Sequence, residues 1–362
     1  MAKSRKILVN ASLFILLVMI SGFSFSCSQK KDTKKTIDDI RVGTDGISVN
    51  FLANNPPATV HAESNLPNNF DVIVELANKG VYPQPDEATA LKGKVFLSGF
   101  DTNILDFSEK SIDLGKKQLS GKSLVNPIGS SDIGVFKGKV PTIILDNLKV
   151  DKYEPTLLAT LCYHYQTIAG PSVCIDPDPY TTVKQKKVCE ASPVTLTSQG
   201  APVAVVKVDE EAFSTNTQFK ITIKNVGNGD VIRDRAEAFA NQPSGSNPYS
   251  GDQSVDPVDR CDPFGASKLG REDIDKVYVE EVSVGQTSLI CWPFTDTSSK
   301  SPQGFIRLLN GEGSVICELQ KTDSGYPGGK TAYSTPLKIV LDYVYKTTAD
   351  RKVLIQKESI GK

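Results

Sequence analysis

The sequence predicts an all-β chain made of two tandem antiparallel β-sandwich domains that follow an N-terminal signal or anchor segment. Three observations predict this fold class. From Gly46 onward, apolar residues recur with a period of two or in short runs. Clusters of Gly, Pro, Asn and Asp interrupt them roughly every dozen residues, and a segment late in the first half is repeated in the second. Because no long helical period separates the strands, antiparallel sandwiches are favoured over a parallel α/β sheet.

Residues 1–26 have the pattern of an export segment. Basic residues occur among the first six positions, and a nearly uninterrupted apolar run follows over residues 7–23. Cys27 then stands where a lipoprotein signal places the cysteine that receives the lipid. The segment therefore resembles a bacterial or archaeal lipoprotein signal, and the resemblance implies lipid attachment at Cys27.

The segment departs from the usual lipobox, because Ser24 and Phe25 stand where Leu and a small residue are favoured. An uncleaved signal anchor and an ordinary secretory signal cut near Ser26 are the alternatives. All three place the rest of the chain outside the cytoplasm, at the cell surface or in the periplasm. Residues 27–43 begin with a polar, lysine-rich stretch and are expected to form a tether at the membrane.

Two strands of the same character are predicted in the two halves. Residues 70–76, Phe-Asp-Val-Ile-Val-Glu-Leu, alternate as a half-buried strand and lead to a turn at Gly80. Residues 219–224, Phe-Lys-Ile-Thr-Ile-Lys, alternate more cleanly and lead to a turn at Gly229. Short helices are expected only at 234–240 and near 271–274.

A second correspondence indicates an internal duplication. Residues 163–167, Tyr-His-Tyr-Gln-Thr, match residues 343–347, Tyr-Val-Tyr-Lys-Thr. The ungapped extension pairs Leu161 with Leu341, Ala169 with Ala349, Val173 with Val353 and Ile175 with Ile355. The predicted boundaries are domain 1 at 44–178, a linker at 179–199, and domain 2 at 200–358.

Domain 2 contains a long loop at 233–270, rich in Gly, Pro, Ser, Asn and Asp. Loops mounted on rigid sandwiches often carry binding, so this insertion is the first candidate for a functional surface. A featureless insertion is the alternative.

The stretch 219–230 resembles the strand and turn signature of the cell-adhesion-related (CARDB-type) immunoglobulin-like domains of archaeal and bacterial surface proteins. Residues 70–80 resemble it more faintly. The resemblance implies immunoglobulin-like sandwiches of about seven strands with structural or adhesive duties and no catalytic residues.

Six cysteines remain after Cys27 is set aside for lipid: Cys162, Cys174, Cys189, Cys261, Cys291 and Cys317. An even number outside the cytoplasm indicates disulfides, for which fifteen connectivities exist. Each half holds three, so complete pairing needs at least one bridge between the halves. The favoured pairs are the local bridges 174–189 and 291–317, and a bridge 162–261 between the halves.

The sequence contains little evidence for a metal site or a nucleotide site. No cysteine pair has the spacing of a structural zinc site, and no phosphate-binding glycine motif is present. The aspartates Asp252, Asp256 and Asp259 are weak calcium candidates, since the Asp-x-Asp-x-Asp-Gly spacing is missing. No cofactor is therefore predicted.

No catalytic constellation emerges either. The two histidines are His61, in a Pro-rich segment, and His164, which occupies a sheet position matched by Val344. Glu280 and Glu281 are adjacent and would point to opposite faces of a strand. The protein is therefore predicted not to be an enzyme.

The formal net charge of −1 offers no basic surface for nucleic acid. The leading hypothesis is a membrane-tethered surface protein that binds another protein or a glycan in a structural or adhesive role. The alternative is an accessory subunit of an envelope assembly that docks by pairing an edge strand. Exposed aromatic residues on the 233–270 loop favour the first, and an unpaired apolar edge strand favours the second.

Overall fold

The structure is a computed structural model that describes residues 37–62, 67–84, 91–141, 144–181, 187–234, 255–323, 326 and 331–358. The described residues belong to one compact unit. The predicted export segment, Cys27 and most of the predicted tether lie outside them.

The described chain is almost entirely β-structure, as the sequence predicts. Its first half contains β1 Ile47–Phe51, β2 Thr59–Ala62, β3 Asn68–Asn78, β4 Gly93–Ser98, β5 Asp106–Phe107, β6 Ser111–Asp113, β7 Ser131–Val140, β8 Lys152–Tyr153, β9 Thr156–Ala169 and β10 Ser172–Ile175. Its second half contains β11 Val194–Thr195, β12 Val203–Ala212, β13 Asn216–Asn225, β14 Asp230–Ile232, β15 Lys276–Val284, β16 Thr287–Ser288, β17 Ile290–Trp292, β18 Gly304–Arg307, β19 Glu312–Gln320, β20 Tyr333–Lys352 and β21 Leu354–Lys357. Short helices are Ile37–Ile40 and Ile144–Leu148, with 3-10 turns at Leu114–Lys116 and Asp259–Cys261.

A central nine-stranded sheet faces two smaller sheets. The central path runs β16-β15-β20-β9-β4-β6 and is joined by β10, β14 and β18. The smaller sheets have the orders β1-β3-β7-β5 and β11-β12-β13-β19-β17. A fourth sheet has the order β2-β21-β8. One continuous apolar cluster contains buried residues from all four sheets, so burial of these inward faces is the main source of stability.

The central sheet is shared by both halves of the chain. β9, from the first half, pairs antiparallel with β20, from the second, along its whole length. The ladder is symmetrical about the facing pair His164 and Val344. Around it, Tyr163 lies opposite Tyr345 and Tyr165 lies opposite Tyr343. Because the sequence repeat aligns these same tyrosines, the two halves meet about a local two-fold axis.

The terminal strand of each half also pairs with a strand of the other half. Ile175 of β10 pairs with Tyr333 of β20, and Ile355 of β21 pairs with Tyr153 of β8. β21 also pairs with β2, and this ladder is parallel, whereas the other named ladders in the described ranges are antiparallel. The C-terminal strand of the second half is thus built into the first.

The four tyrosines of the axis fill the space between the sheets and are almost fully buried. Their hydroxyls accept main-chain hydrogen bonds at matching places. Ile47 N, at the start of β1, donates to Tyr163 at 2.9 Å, and Val203 N, at the start of β12, donates to Tyr343 at 3.4 Å. A buried phenol needs such a partner, so these bonds fix how the smaller sheets lie on the central one.

The strands predicted at 70–76 and 219–224 lie within β3 and β13. The expected helix near 271–274 is wrong: these residues form a turn that ends in an isolated bridge between Ile274 and Ile232. The first expected helix, 234–240, lies largely outside the described residues. The helix Ile144–Leu148 was not predicted, because five residues are too short to show a helical period.

Candidate binding site at the long loop

The described parts of the long loop, residues 233–234 and 255–270, lie on the outer face of the central sheet, opposite the two smaller sheets. Along β9 the odd-numbered side chains from 161 to 169 point into the core, so His164 and Gln166 point outward. A second apolar cluster covers part of this outer face. It contains Phe96, Cys162, Ile232, Val258, Cys261 and Val344. Residues 255–262, at the end of the loop, are thereby packed onto the sheet.

All six candidate cysteines are paired. The bridges are Cys162–Cys261, Cys174–Cys189 and Cys291–Cys317, the same three pairs that the sequence favours. The first joins β9 to the long loop across 99 positions of sequence. Three disulfides indicate an oxidising compartment outside the cytoplasm.

His164 forms a second attachment of the loop. Its Nδ1 lies 2.8 Å from an oxygen of Asp234, and its Nε2 lies 3.0 Å from an oxygen of Asp256. Asp234 and Asp256 stand at the two ends of the loop segment that lies outside the described residues. One ring therefore fixes both ends to the sheet.

The two carboxylates determine the charge of this ring. Burial lowers the pKa of His164, but the hydrogen bonds and negative charges of Asp234 and Asp256 outweigh burial and raise it to about 10. Conversely, the hydrogen bond and charge of His164 outweigh burial at Asp256 and lower the pKa of that carboxyl. Both ring nitrogens then donate, as an imidazolium requires. The ring has no free nitrogen with which to accept a proton from a substrate.

Two further ion pairs hold the same part of the loop. Lys94 Nζ of β4 lies 2.5 Å from Asp259. The Arg260 guanidinium lies 2.5 Å from Asp273 and also donates to the carbonyl of Lys268. The second pair is nearly inaccessible to solvent, so it needs these multiple partners to offset its desolvation.

The structure also locates the weak calcium candidates. Asp256 binds His164 and Asp259 binds Lys94, so each carboxylate already has a cationic partner. Asp252 lies outside the described residues. Within the described ranges, no group of three or more His, Cys, Asp or Glu side chains is arranged to hold a metal ion.

A pair of carboxyl groups lies farther along the outer face. Gln166 Nε2 donates to Glu280 at 3.2 Å and to Asp342 at 3.0 Å. Burial, then the hydrogen bond and charge of Glu280, raise the pKa of Asp342 to about 9, so the pair holds a proton at neutral pH. In the sequence, Glu280 is adjacent to Glu281, and nothing in it indicates the contact with Asp342. Glu281 instead binds Lys338 and Ser283.

The described end of the loop presents an aromatic side chain to solvent. Phe264 is 46% exposed. Its ring packs at 5.9 Å from Phe100, and Lys110 Nζ lies 5.1 Å from its centroid. Phe264 N donates to Asp262, and Lys268 Nζ donates to the carbonyls of Asp262 and Pro263. The hydrogen bonds of this turn therefore hold the Phe264 ring in place. An exposed aromatic ring that is held in place beside a cation is typical of residues that contact a binding partner.

The remaining candidates lie elsewhere. His61 is exposed on β2, opposite Gln356 of β21. Trp292 follows Cys291 on β17, and Lys300 Nζ lies 3.7 Å from the centre of its ring. Neither residue is brought to the long loop by a contact described here.

The chain matches no known protein family, and it matches no curated protein. Among solved structures, it is similar to the C-terminal domain of the AgI/II polypeptide BspA of Streptococcus agalactiae. That similarity covers 86% of this chain and all of the other, with 8% identity and a TM-score of 0.15. A superposition of this quality identifies neither a shared fold nor a shared function.

None of the helices in the described residues is long and apolar enough to cross a membrane.

Proposed function

We propose that this protein is a membrane-tethered, non-catalytic binding protein of the cell surface or periplasm, and that its long loop contacts a protein or a glycan. The tether would be a lipid on Cys27 or an uncleaved anchor. The two repeats would be immunoglobulin-like modules of the CARDB type. The observation that carries the proposal is the attachment of the loop to the sheet.

A loop that moves freely loses conformational entropy when it binds, which weakens affinity. Here residues 255–273 are held by the Cys162–Cys261 bridge, by His164 and by the Arg260–Asp273 pair. A surface held in this way loses little conformational entropy when it binds a partner. The same bonds occupy His164 and Asp256, so neither side chain is free to act as an acid, a base or a nucleophile. Binding is therefore favoured over catalysis.

Replacing Phe264 by alanine is expected to weaken binding roughly 10-fold or more, as for other exposed anchor residues at interfaces. The measurement is retention of isolated cell-envelope material by the immobilised protein, at matched protein concentrations.

Tyr180→Ala is the matched control, because Tyr180 is an aromatic residue that is 66% exposed outside the loop. It should bind like the wild type. Equal retention by F264A and the wild type, with both folded, would show that the loop is not the contact.

The edge of β7 favours the alternative function, docking by strand addition. β7 pairs with β3 along its whole length, but β5 covers only its end near residues 138 and 139. Ile133 and Val135 are 50% and 40% exposed on this strand. The carbonyl of Ile133 accepts from Lys117 Nζ and its N–H donates to Asp132. Val135 makes no hydrogen bond at this edge to any residue in the described ranges. An open apolar edge of this kind pairs readily with an added strand.

Val135→Pro tests this alternative. Proline removes the N–H that a docked strand would use, and it is tolerated at a sheet edge where that N–H faces solvent. If docking uses β7, V135P should lose retention of envelope material, whereas Val135→Thr, which keeps the N–H, should retain it. If F264A loses retention of envelope material and V135P keeps it, the binding contact is the long loop and not the edge of β7.

A further inference from the structure

The loop of residues 123–128 carries aliphatic side chains that are highly exposed to solvent. Val125 is 91% exposed, Ile128 is 80% exposed and Leu124 is 54% exposed. Single exposed aliphatic residues are common, but three within five positions form a patch that calls for a partner.

This loop is braced by its own hydrogen bonds. Ser123 N donates to the carbonyl of Asn126, and Asn126 N donates to the Ser123 hydroxyl. Ser120 and Ser130 bond to each other through their hydroxyls at 2.7 Å, which closes the base of the loop. Gly129 has φ +80°, and a Cβ there would lie 1.9 Å from Asn78 O, so only glycine fits. The aliphatic side chains are therefore held outward.

The loop lies beside the point where the chain enters the fold. Lys122 Nζ donates to the carbonyl of Val42 at 3.1 Å, and Val42 is itself 47% exposed. Lys122 N donates to Gly80 O, and a Cβ on Gly80 would touch the inward-pointing Tyr165 hydroxyl. The loop thus lies on the side of the central sheet opposite the long loop.

Cys27, the proposed site of lipid attachment, lies ten residues before residue 37, the first described residue. A chain of that length, even fully extended, spans at most roughly 35 Å. A lipid on Cys27 would hold residue 37 within that distance of the bilayer, and an anchor ending at residue 23, fourteen residues away, would hold it within roughly 50 Å. The loop of residues 123–128 lies beside this part of the chain. A weakly apolar loop held at such proximity binds the interface far better than it would from free solution.

We propose that residues 123–128 dip into the interface of the membrane that holds the N-terminus, so that the long loop points away from it. This inference rests on the proposed tether. It assigns the occupant of the patch as lipid, rather than a second copy of the chain or a protein partner.

The test uses the full-length chain reconstituted into vesicles of phosphatidylethanolamine and phosphatidylglycerol whose acyl chains carry bromine. Val125→Trp and Ile128→Trp each place a fluorophore on the loop, and Phe264→Trp places one on the opposite side. The sequence has one native tryptophan, whose signal is subtracted with the wild-type protein. We expect the first two variants to lose fluorescence and shift to shorter wavelength, and F264W to remain unchanged.

Retention on the vesicles without quenching of V125W and I128W would overturn the loop inference and leave the tether standing. Failure of the full-length chain to remain on vesicles would overturn the tether and the inference with it. A shift of V125W emission with rising protein concentration in detergent alone would assign the patch to a second copy. Quenching of F264W as strongly as V125W would also overturn the orientation proposed here.

Discussion

Replacing Cys162 and Cys261 together by alanine is expected to lower the free energy of unfolding by about 4 kcal/mol. The bridge closes a segment of 99 positions, and the entropy lost by the unfolded chain grows with the length of the closed segment. The loss is measured as a shift of the urea midpoint at unchanged slope. Amide exchange in residues 255–261 should accelerate at the same time, because the bridge holds them to β9.

The matched control removes Cys174 and Cys189, which are 15 positions apart. This shorter closure is expected to contribute about 3 kcal/mol and to leave exchange in residues 255–261 unchanged. If both double variants behave alike in exchange, the bridge to β9 does not fasten the loop.

Raising the pH from 7 to 8.5 is expected to lower the free energy of unfolding by about 4 kcal/mol. In this range the folded protein keeps a proton on His164, with a pKa of about 10, and one on Asp342, with a pKa of about 9. The unfolded chain has released both, because its ordinary pKa values are 6.5 and 3.8. The folded state thus binds two more protons, and each contributes about 1.4 kcal/mol of lost stability per pH unit. Urea titrations at several pH values measure the slope.

Two variants separate the contributions. His164→Gln and Asp342→Asn should each remove about half of the slope. His164→Gln should in addition cost about 2–3 kcal/mol at pH 7, because the buried Asp234 loses its charged partner. Asp342→Asn keeps a hydrogen-bonding amide where the protonated acid stood. An unchanged slope in both variants would show that neither group holds the extra proton.

The local periodicity of apolar residues was sufficient to predict many of the strands. The alternation at 70–76 and 219–224 predicts strands because one face of each is buried. The tight turn at Asn310 and Gly311, where both residues have positive φ, is of the kind that an Asn-Gly pair favours. The match between 163–167 and 343–347 predicts equivalent strands. It does not predict that those strands pair with each other, because register between distant segments is set by the completed core.

The candidate site was only partly predictable. The sequence indicates a long loop at 233–270 and a sheet position for His164. The sheet position is observed, the described residues 255–270 contain no strand, and residues 235–254 lie outside the described ranges. The sequence does not indicate the two aspartates on that ring, because they lie 70 and 92 positions away. The same holds for Glu280 and Asp342, which neighbour each other across two strands. The predicted domain boundaries at 178 and 200 stay a prediction.

The pairing of β9 with β20 has a mechanical consequence. A pull on the described end of the long loop would pass through the Cys162–Cys261 bond into β9, which pairs with β20 over all 14 of its residues and with β4 over residues 158–163. Force along that strand loads its ladder in shear, so many hydrogen bonds must break at once before the strand slides. Since the terminal strand of each half pairs with strands of the other, the two halves cannot be drawn apart without breaking those ladders as well.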